Sequence, residues 1–301
     1  MRRRIKPTRT NLIAACGAIA AAATMVAGES ALAQLPLVNK GGINPNSWIY
    51  GPRTADTTGG LIWNPAKQEM INGDNVIGRT VSTNNLDTMN TTYCNQASQS
   101  DADFTWTEMQ HSGIDWGDAW RMWAYGSSAN CPDRRAIPGV RVANTAEREI
   151  QHALDGGAMV LVVPTVDTEA EAKEVVQWAY FPPMGRRSQG GSQTGAVLGP
   201  WIPSGVSYRQ TFNNNLVLIV MIETIEGAMN ARKIAQVPGV HGVFIASSDL
   251  GNFSGFAQGD ADYEKLVSSI HDDVLGAGKR LCGPFAWLTS RPDQNFTCFQ
   301  R

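Results

Sequence analysis

The sequence predicts an α/β protein built as a single (β/α)8 barrel, and three observations support this fold class. The two most apolar runs, 216–223 and 240–249, lack the polar alternation of half-exposed strands, as is typical of strands buried on both faces. A helical pattern over 226–235 separates them and stops before Pro238 and Gly239. The chain has 301 residues, 43% of them hydrophobic, which suits one barrel of about 250 residues.

Six further strand patterns bring the count to eight. They cover 76–82, 103–110, 139–143, 159–165, 280–287 and 295–300. Helical patterns with Asn, Thr or Asp start signals cover 64–73, 145–154, 168–179 and 262–275. Alternating strands and helices predict a parallel sheet, and eight such strands close into a barrel. Only Arg301 follows the eighth pattern, so we expect the barrel to lack its final helix.

The beginning of the chain has the pattern of a secretory signal peptide over 1–33. A basic stretch precedes an Ala-rich apolar stretch, and Ala31-Leu32-Ala33 is typical of a cleavage site. We therefore expect export to the periplasm or out of the cell, with no stable membrane anchor after cleavage. An uncleaved anchor is the alternative, although a short Ala-rich segment inserts weakly. Residues 34–63, rich in Gly, Asn, Pro and Thr, predict an irregular arm, and 64–301 predict the barrel.

Four cysteines remain after the predicted cleavage, and an oxidising compartment would allow them to form disulfides. Their spacings match no zinc site. Pairing Cys94 with Cys131 and Cys282 with Cys298 is one of three possible connectivities. Small buried free thiols are an equal alternative.

Charge excludes one class of partner. The 25 basic and 27 acidic residues are scattered along the chain, and the net charge is -2. No basic patch or acidic tail is present, so we expect no nucleic-acid partner. Small molecules are the expected ligands.

Several polar residues lie where the predicted strands end, which is the functional face of such a barrel. Glu223 and Asp249 end the two central runs, and paired carboxylates there suit a divalent cation. Alternatively, they cap the helices that follow. Arg141 suits a planar carboxylate, and His111 can exchange a proton near neutral pH. Together they predict an enzyme that acts on a small anionic substrate.

Short motifs between 64 and 300 resemble, in order and spacing, those of the HpcH/HpaI aldolase/citrate lyase family. They are Val140-Arg141-Val142, Leu154-Asp155-Gly156-Gly157-Ala158, Val162-Val163-Pro164, Phe181-Pro182-Pro183-Met184-Gly185-Arg186-Arg187, Ile222-Glu223-Thr224, Gly242-Val243-Phe244-Ile245 and Ser248-Asp249-Leu250. The resemblance implies a TIM barrel of the phosphoenolpyruvate/pyruvate type. It also implies a metal-dependent class II aldolase, a carbon–carbon lyase that reversibly cleaves a 4-hydroxy-2-oxoacid to pyruvate and an aldehyde. A homo-oligomer is expected.

The resemblance also implies roles for individual residues. His111 resembles the catalytic base, and Asp155 the acid that raises its basicity. Arg141 resembles the catalytic and substrate-binding residue that holds pyruvate and stabilises its enolate. The task of Arg187, in the Pro-Pro-x-Gly-x-Arg loop, is left open.

The remaining implied roles concern metal and substrate. Glu223 and Asp249 resemble the ligands of Mg²⁺ or Mn²⁺, with Co²⁺ as an alternative, and Ser248 and Asp249 are expected to contact the substrate. The chain departs from the family pattern at Met221, at 246–248 and at 108–110. The departures at Met221 and 108–110, together with the missing final helix, favour an alternative, an exported, catalytically degenerate barrel that binds a small oxoacid. A citrate-lyase-type enzyme acting on a thioester is a second alternative.

Overall fold

The computed structural model describes residues 60–83, 85, 87–181 and 184–301. Eight parallel strands form a closed barrel in chain order. They are β1 (Val76–Val81), β2 (Phe104–Glu108), β3 (Ile137–Arg141), β4 (Val160–Val163), β5 (Val217–Ile222), β6 (Gly242–Ile245), β7 (Arg280–Pro284) and β8 (Phe296–Gln300). The predicted (β/α)8 barrel is confirmed. The predicted signal peptide and residues 34–59 of the predicted arm lie outside the described residues.

Helices connect the strands. They are α1 (Pro65–Asn72), α2 (Met89–Ala97), α3 (Trp116–Gly126), α4 (Glu147–Gly156), α5 (Glu169–Ala179), α6 (Ser192–Leu198), α7 (Tyr208–Asn215), α8 (Ile225–Gln236), α9 (Ser247–Ser254), α10 (Ala261–Gly276) and α11 (Trp287–Ser290), with a 3-10 helix at Pro292–Gln294. Within the described ranges, none of them is long and apolar enough to cross a bilayer. After β8 the structure describes Arg301 alone, whose backbone bonds to β1.

The sixth and seventh strand patterns extended too far along the chain. β6 ends at Ile245, and Ser247 already begins a helix; β7 ends at Pro284, before the helix that begins at Trp287. Asp249 therefore lies in the first helical turn after β6 rather than at a strand end. An acid is favourable there because it faces the positive end of the helix dipole.

Side chains alternate along β2 between the barrel interior and the helix layer. Phe104 fills the space above two glycines of the neighbouring strands, Gly78 and Gly139, where a Cβ would collide with its ring. The Trp106 ring contacts the Phe244 ring of β6, with centroids 5.3 Å apart. The same face ends in Glu108. The interior therefore changes from aromatic to charged at the carboxyl-terminal rim.

The amino-terminal end of the barrel is closed by α1. Asn64 caps this helix, and the fully buried Lys67 extends from it. The Lys67 Nζ donates to the carbonyl of Leu216 over 3.1 Å and lies 2.6 Å from the Nε2 of His241. Burial lowers the pKa of Lys67 well below its ordinary value, and it also lowers the pKa of His241.

The cysteines behave in two ways. Cys94 of α2 forms a disulfide with Cys131, which confirms the first of the two pairs considered from the sequence. Cys282 and Cys298 are buried free thiols, so the second is wrong and the free-thiol alternative is right for this pair. The two thiols are register partners on β7 and β8, and burial together with a hydrogen bond to Cys298 raises the pKa of Cys282.

Candidate active site

A buried ion pair joins the ends of β2 and β3. The Nε and Nη2 of Arg141 donate to the Oε2 of Glu108 over 2.7 and 2.6 Å. The indole Nε1 of Trp106 donates to the same oxygen over 3.2 Å, and the guanidinium lies 6.0 Å from the ring centroid. Arg141 is 8% exposed and Glu108 is 4% exposed, so both charges are held away from bulk water. The guanidinium is therefore fixed in one plane at the rim.

The other oxygen of Glu108 organises the loop after β2. Its Oε1 accepts the backbone N–H groups of Gln110 and His111 over 2.8 and 3.1 Å. This loop places His111 at the rim with its side chain exposed. One carboxylate thus fixes both the predicted substrate-binding arginine and the backbone of the predicted base.

Glu223 lies directly after β5 and is 1% exposed. Its Oε2 accepts the hydroxyl of Thr165, whereas its buried Oε1 has no partner among the described residues. Burial raises the pKa of Glu223, and the charge of the nearby Asp249 raises it too. The Thr165 hydroxyl and the charge of Arg141 oppose that rise. The structure therefore brings the two predicted metal ligands close to each other and to Arg141.

These carboxylates fit a hard divalent cation. A buried carboxylate oxygen without a partner is costly, and a cation bound by Glu223 and Asp249 would satisfy it. The part of the chain that the structure describes has no cluster of three or more His, Cys, Asp or Glu side chains arranged to hold a metal ion. The donor set therefore suits ions that keep several waters or take oxygen atoms from a substrate, as Mg²⁺ does.

Asp155 does not lie with these residues. It is near the end of α4, which returns the chain from the rim after β3 to the amino-terminal end where β4 begins. Its Oδ1 accepts from Arg187 over 2.8 Å and its Oδ2 from Gln151 over 2.9 Å. Within the described ranges, no hydrogen bond or ion pair joins it to His111. The structure does not bring the two together within one chain, and the role of Asp155 in catalysis stays a prediction.

Arg187 now has a task that the sequence left open. Its side chain is fully buried, with the guanidinium 4.6 and 4.4 Å from the ring centroids of Phe181 and Phe212. It pairs with Asp155 and also donates to the hydroxyl of Tyr208 over 3.3 Å. Arg187 therefore ties α4 to the segment between α5 and β5, which is a structural task at the amino-terminal end.

Ser248, the remaining predicted substrate contact, lies at the rim, and apolar side chains below the rim form the floor of the site. Ser248 is exposed and Asp249 is half-buried in the first turn of α9. Below the charged layer, Met221 is the register partner of Phe244, which in turn contacts Trp106. The departure from the family pattern at Met221 therefore makes the floor apolar.

Sequence reasoning did not assign roles to Glu108 and Thr165. Glu108 carried a usable signal, because it ends a strand in the same way as Glu223 does. The role of Thr165 depends on its backbone, which has φ 49°. A β-branched residue gives no sequence sign of such a conformation.

Comparison with known proteins identifies relatives of the chain. The sequence model of the HpcH/HpaI aldolase/citrate lyase family matches residues 86–283. A hydroxypyruvate/pyruvate aldolase of Delftia acidovorans is 38% identical over 161 residues, which cover 52% of this chain and 56% of that protein. A 2-keto-3-deoxy-L-rhamnonate aldolase of Salmonella paratyphi B is 29% identical over 223 residues, covering 73% and 78%.

Solved structures agree on the fold. A protein of the HpcH/HpaI aldolase/citrate lyase family from Burkholderia cenocepacia has a TM-score of 0.66 at 22% identity, covering 79% of this chain and 91% of that one. Macrophomate synthase has a TM-score of 0.65 at 20% identity, covering 88% and 91%. Because the family model matches more than half of the chain, this protein belongs to the HpcH/HpaI aldolase/citrate lyase family.

Proposed function

We propose that this protein is an exported, divalent-metal-dependent aldolase that reversibly cleaves a 4-hydroxy-2-oxoacid to pyruvate and an aldehyde. The main support is one rim that holds a buried guanidinium beside a buried carboxylate with an unpaired oxygen. Two relatives named as aldolases support the reaction class. The Cys94–Cys131 disulfide supports export, since such bonds persist in oxidising compartments.

Glu223 and Asp249 would hold the cation, with Mg²⁺ or Mn²⁺ as the expected ion and Co²⁺ as an alternative. When bound, the cation supplies a Lewis acid for the carboxylate and 2-oxo group of the substrate. Both side chains offer only oxygen atoms, the ligand type that these ions prefer. Ser248, which is exposed beside Asp249, would contact the same end of the substrate.

Arg141 would bind the substrate and stabilise the charge that develops on it. Its Nε and Nη2 are used by Glu108, and within the described residues its Nη1 has no partner. Nη1 is therefore the donor available to a substrate oxygen. Because Glu108 fixes the guanidinium in advance, little reorganisation is needed when the oxygen at C2 becomes negative.

His111 would act as the base. It would take the proton of the C4 hydroxyl, directly or through one water. The C3–C4 bond then breaks, its electron pair moves toward the oxygen at C2, and the aldehyde leaves. A proton delivered to C3 completes pyruvate. His111 is exposed on the loop that Glu108 holds, so solvent can exchange the proton it carries.

The test is a coupled assay of pyruvate release from several 4-hydroxy-2-oxoacids, with and without Mg²⁺, Mn²⁺ or Co²⁺. We expect metal-stimulated release from at least one substrate, and a loss of about 10³-fold or more in Glu223→Ala. Glu169→Ala is the matched control, because Glu169 is an exposed acid paired with Lys173 and should leave the rate unchanged. No metal-stimulated pyruvate, or an unaffected Glu223→Ala variant, would overturn the proposal.

One observation favours the alternative of an exported barrel that binds an oxoacid without cleaving it. Asp155 is paired with Arg187, so within the described chain it does not support His111 as a base. Calorimetric titration with pyruvate in the presence of Mg²⁺ distinguishes the two functions. Metal-dependent binding without product release would establish the binding protein, and turnover would exclude it. Light scattering tests the expected homo-oligomer.

A further inference from the structure

Thr165, two residues after the end of β4 at Val163, has an uncommon backbone conformation. Its φ is 49°, and among the described non-glycine residues only Asn295 shares a positive φ. Left-handed backbone is strained for a non-glycine residue, and most strained for a β-branched side chain. A conformation of this kind persists only where the surroundings enforce it.

Hydrogen bonds from the residues after Thr165 to β5 and to the segment that follows it enforce this conformation. The N–H of Val166 donates to the carbonyl of Met221 over 3.1 Å. The hydroxyl of Thr224 donates to the Oδ1 of Asp167 over 2.5 Å, and the amide of Asn230 donates to the Asp167 carbonyl over 2.9 Å. The loop after β4 is thus attached at three points to β5, to the turn that carries Glu223 and to α8.

The result of this conformation is one specific contact. The Thr165 hydroxyl donates to the Oε2 of Glu223, although the Thr165 side chain is otherwise exposed at the rim. Packing therefore does not explain the position of the side chain. The contact occupies one carboxylate oxygen and leaves the buried Oε1 without a partner among the described residues.

The donor is also electrically neutral. A lysine or arginine in its place would compensate the charge of Glu223 and weaken its attraction for a cation. A hydroxyl fixes the rotation of the carboxylate and leaves its negative charge, together with that of Asp249, available. Outer hydrogen bonds of this kind orient metal-binding carboxylates in proteins generally.

We propose that Thr165 is a positioning residue whose hydroxyl fixes the Glu223 carboxylate so that Oε1 is presented to a divalent cation. This inference rests on the proposed function, because it needs a cation at Glu223 and Asp249. The strained backbone after β4 then serves the site by bringing a neutral donor to the ligand. Thr165 itself does not touch the reacting atoms.

The test measures Mn²⁺ binding without substrate, by the electron paramagnetic resonance signal of free Mn²⁺ and by calorimetry. Thr165→Val removes the hydroxyl and keeps the side-chain shape, and we expect its Kd for Mn²⁺ to rise about 10–100-fold. Thr165→Ser restores the donor and should bind within about threefold of the parent. Thr165→Gly should bind Mn²⁺ as weakly as Thr165→Val does. Its Tm should exceed that of Thr165→Val, because glycine relieves the left-handed strain.

Thr168→Val is the matched control. The Thr168 hydroxyl caps α5 and bonds to Glu171, so its loss should lower Tm and leave Mn²⁺ binding unchanged. Parent-like Mn²⁺ binding by Thr165→Val, or equally weak binding by Thr165→Ser, overturns the role of Thr165 and leaves the proposed function intact. If Thr165→Val does not fold, the comparison of Thr165→Ser with Thr165→Gly decides. Absence of Mn²⁺ binding by the parent overturns the cation site itself, and the role of Thr165 with it.

Discussion

The two ends of the barrel differ in how they satisfy their buried polar groups. At the carboxyl-terminal rim, Arg141 and Glu108 remain paired as charged groups, and Glu223 keeps an oxygen without a partner in the described structure. At the amino-terminal end, Lys67 and His241 lie against each other, and burial lowers the pKa of both. Burial of charge is thus common to both ends. The amino-terminal end also holds the ion pair of Asp155 with Arg187, so what distinguishes the rim is the buried carboxylate oxygen of Glu223 that has no partner in the described chain.

Backbone carbonyls account for the difference. Lys67 donates to the carbonyl of Leu216, and Lys279, whose pKa burial lowers to about 8, donates to that of Val240 over 2.7 Å. Both carbonyls lie just before strands begin, where they do not yet bond within the sheet. Buried amines therefore satisfy backbone carbonyls at the amino-terminal end, whereas the opposite end leaves polar groups available for a ligand.

The largest effect is expected for Arg141→Met, which tests whether the buried charges at the rim serve activity as well as stability. Arg141→Met leaves Glu108 buried and unpaired, which should cost about 3–5 kcal/mol of unfolding free energy. It should also reduce kcat/KM for pyruvate release about 10³-fold, because the site loses the fixed positive charge of the guanidinium. Urea unfolding and the coupled assay measure the two effects.

The double variant Arg141→Met with Glu108→Gln sharpens that result. The amide oxygen can still accept the N–H groups of Gln110 and His111, and no unpaired charge remains. Most of the lost stability should therefore return while the activity does not. Recovery of activity together with stability would show that the pair is only structural.

An intermediate effect is expected at the amino-terminal end. Asp155→Asn leaves the fully buried Arg187 without its counter-charge and should lower the unfolding free energy by about 3 kcal/mol. If the ion pair is structural, the pH dependence of kcat for the folded enzyme keeps its shape. A shift of the acidic limb to lower pH would instead return Asp155 to a catalytic role beside His111, because a base that loses its supporting carboxylate becomes less basic. Exposed Asp262, paired with Lys265, provides Asp262→Asn as a control that should change neither quantity.

The smallest effect concerns the pH dependence of stability. Because the pKa of Lys67 is lowered on folding, the unfolded chain binds more protons between the folded and unfolded values, and stability must rise with pH there. We expect Lys67→Met to make this rise shallower by up to about 1.4 kcal/mol per pH unit in the range below the ordinary lysine pKa of about 10.4. Urea unfolding at several pH values measures the slope.

Lys173→Met is the control for that experiment. Lys173 is an exposed lysine paired with Glu169, so its removal should not alter the slope. Equal slopes in the parent and Lys67→Met would mean that Lys67 stays charged in the folded protein. The contrast between the two ends of the barrel would then be lost.

The strands and most of the rim could be predicted from the sequence because buried parallel strands have a strong local signal. The runs ending at Glu223 and near Asp249 are apolar enough to identify β5 and β6, and chain direction alone puts both acids on one rim. Short polar helices such as Met89–Ala97 escaped prediction, since that helix has no side-chain cap and few apolar positions.

The contacts of the site could not be predicted in the same way, because they depend on geometry between distant segments. The bond between Thr165 and Glu223 needs a left-handed residue, which no propensity indicates. Asp155 was assigned by motif alone. The direction of α4, which carries the chain away from the rim, would have placed it at the opposite end.

The disulfide has a consequence for where the protein can mature. Cys94 and Cys131 are 37 residues apart, and the strand enclosed by this covalent loop is Phe104–Glu108. A cross-link of that span restricts the unfolded chain by roughly 3–4 kcal/mol, a large part of the stability of an ordinary domain. Synthesis in a thiol-reducing cytoplasm would therefore yield a less stable barrel.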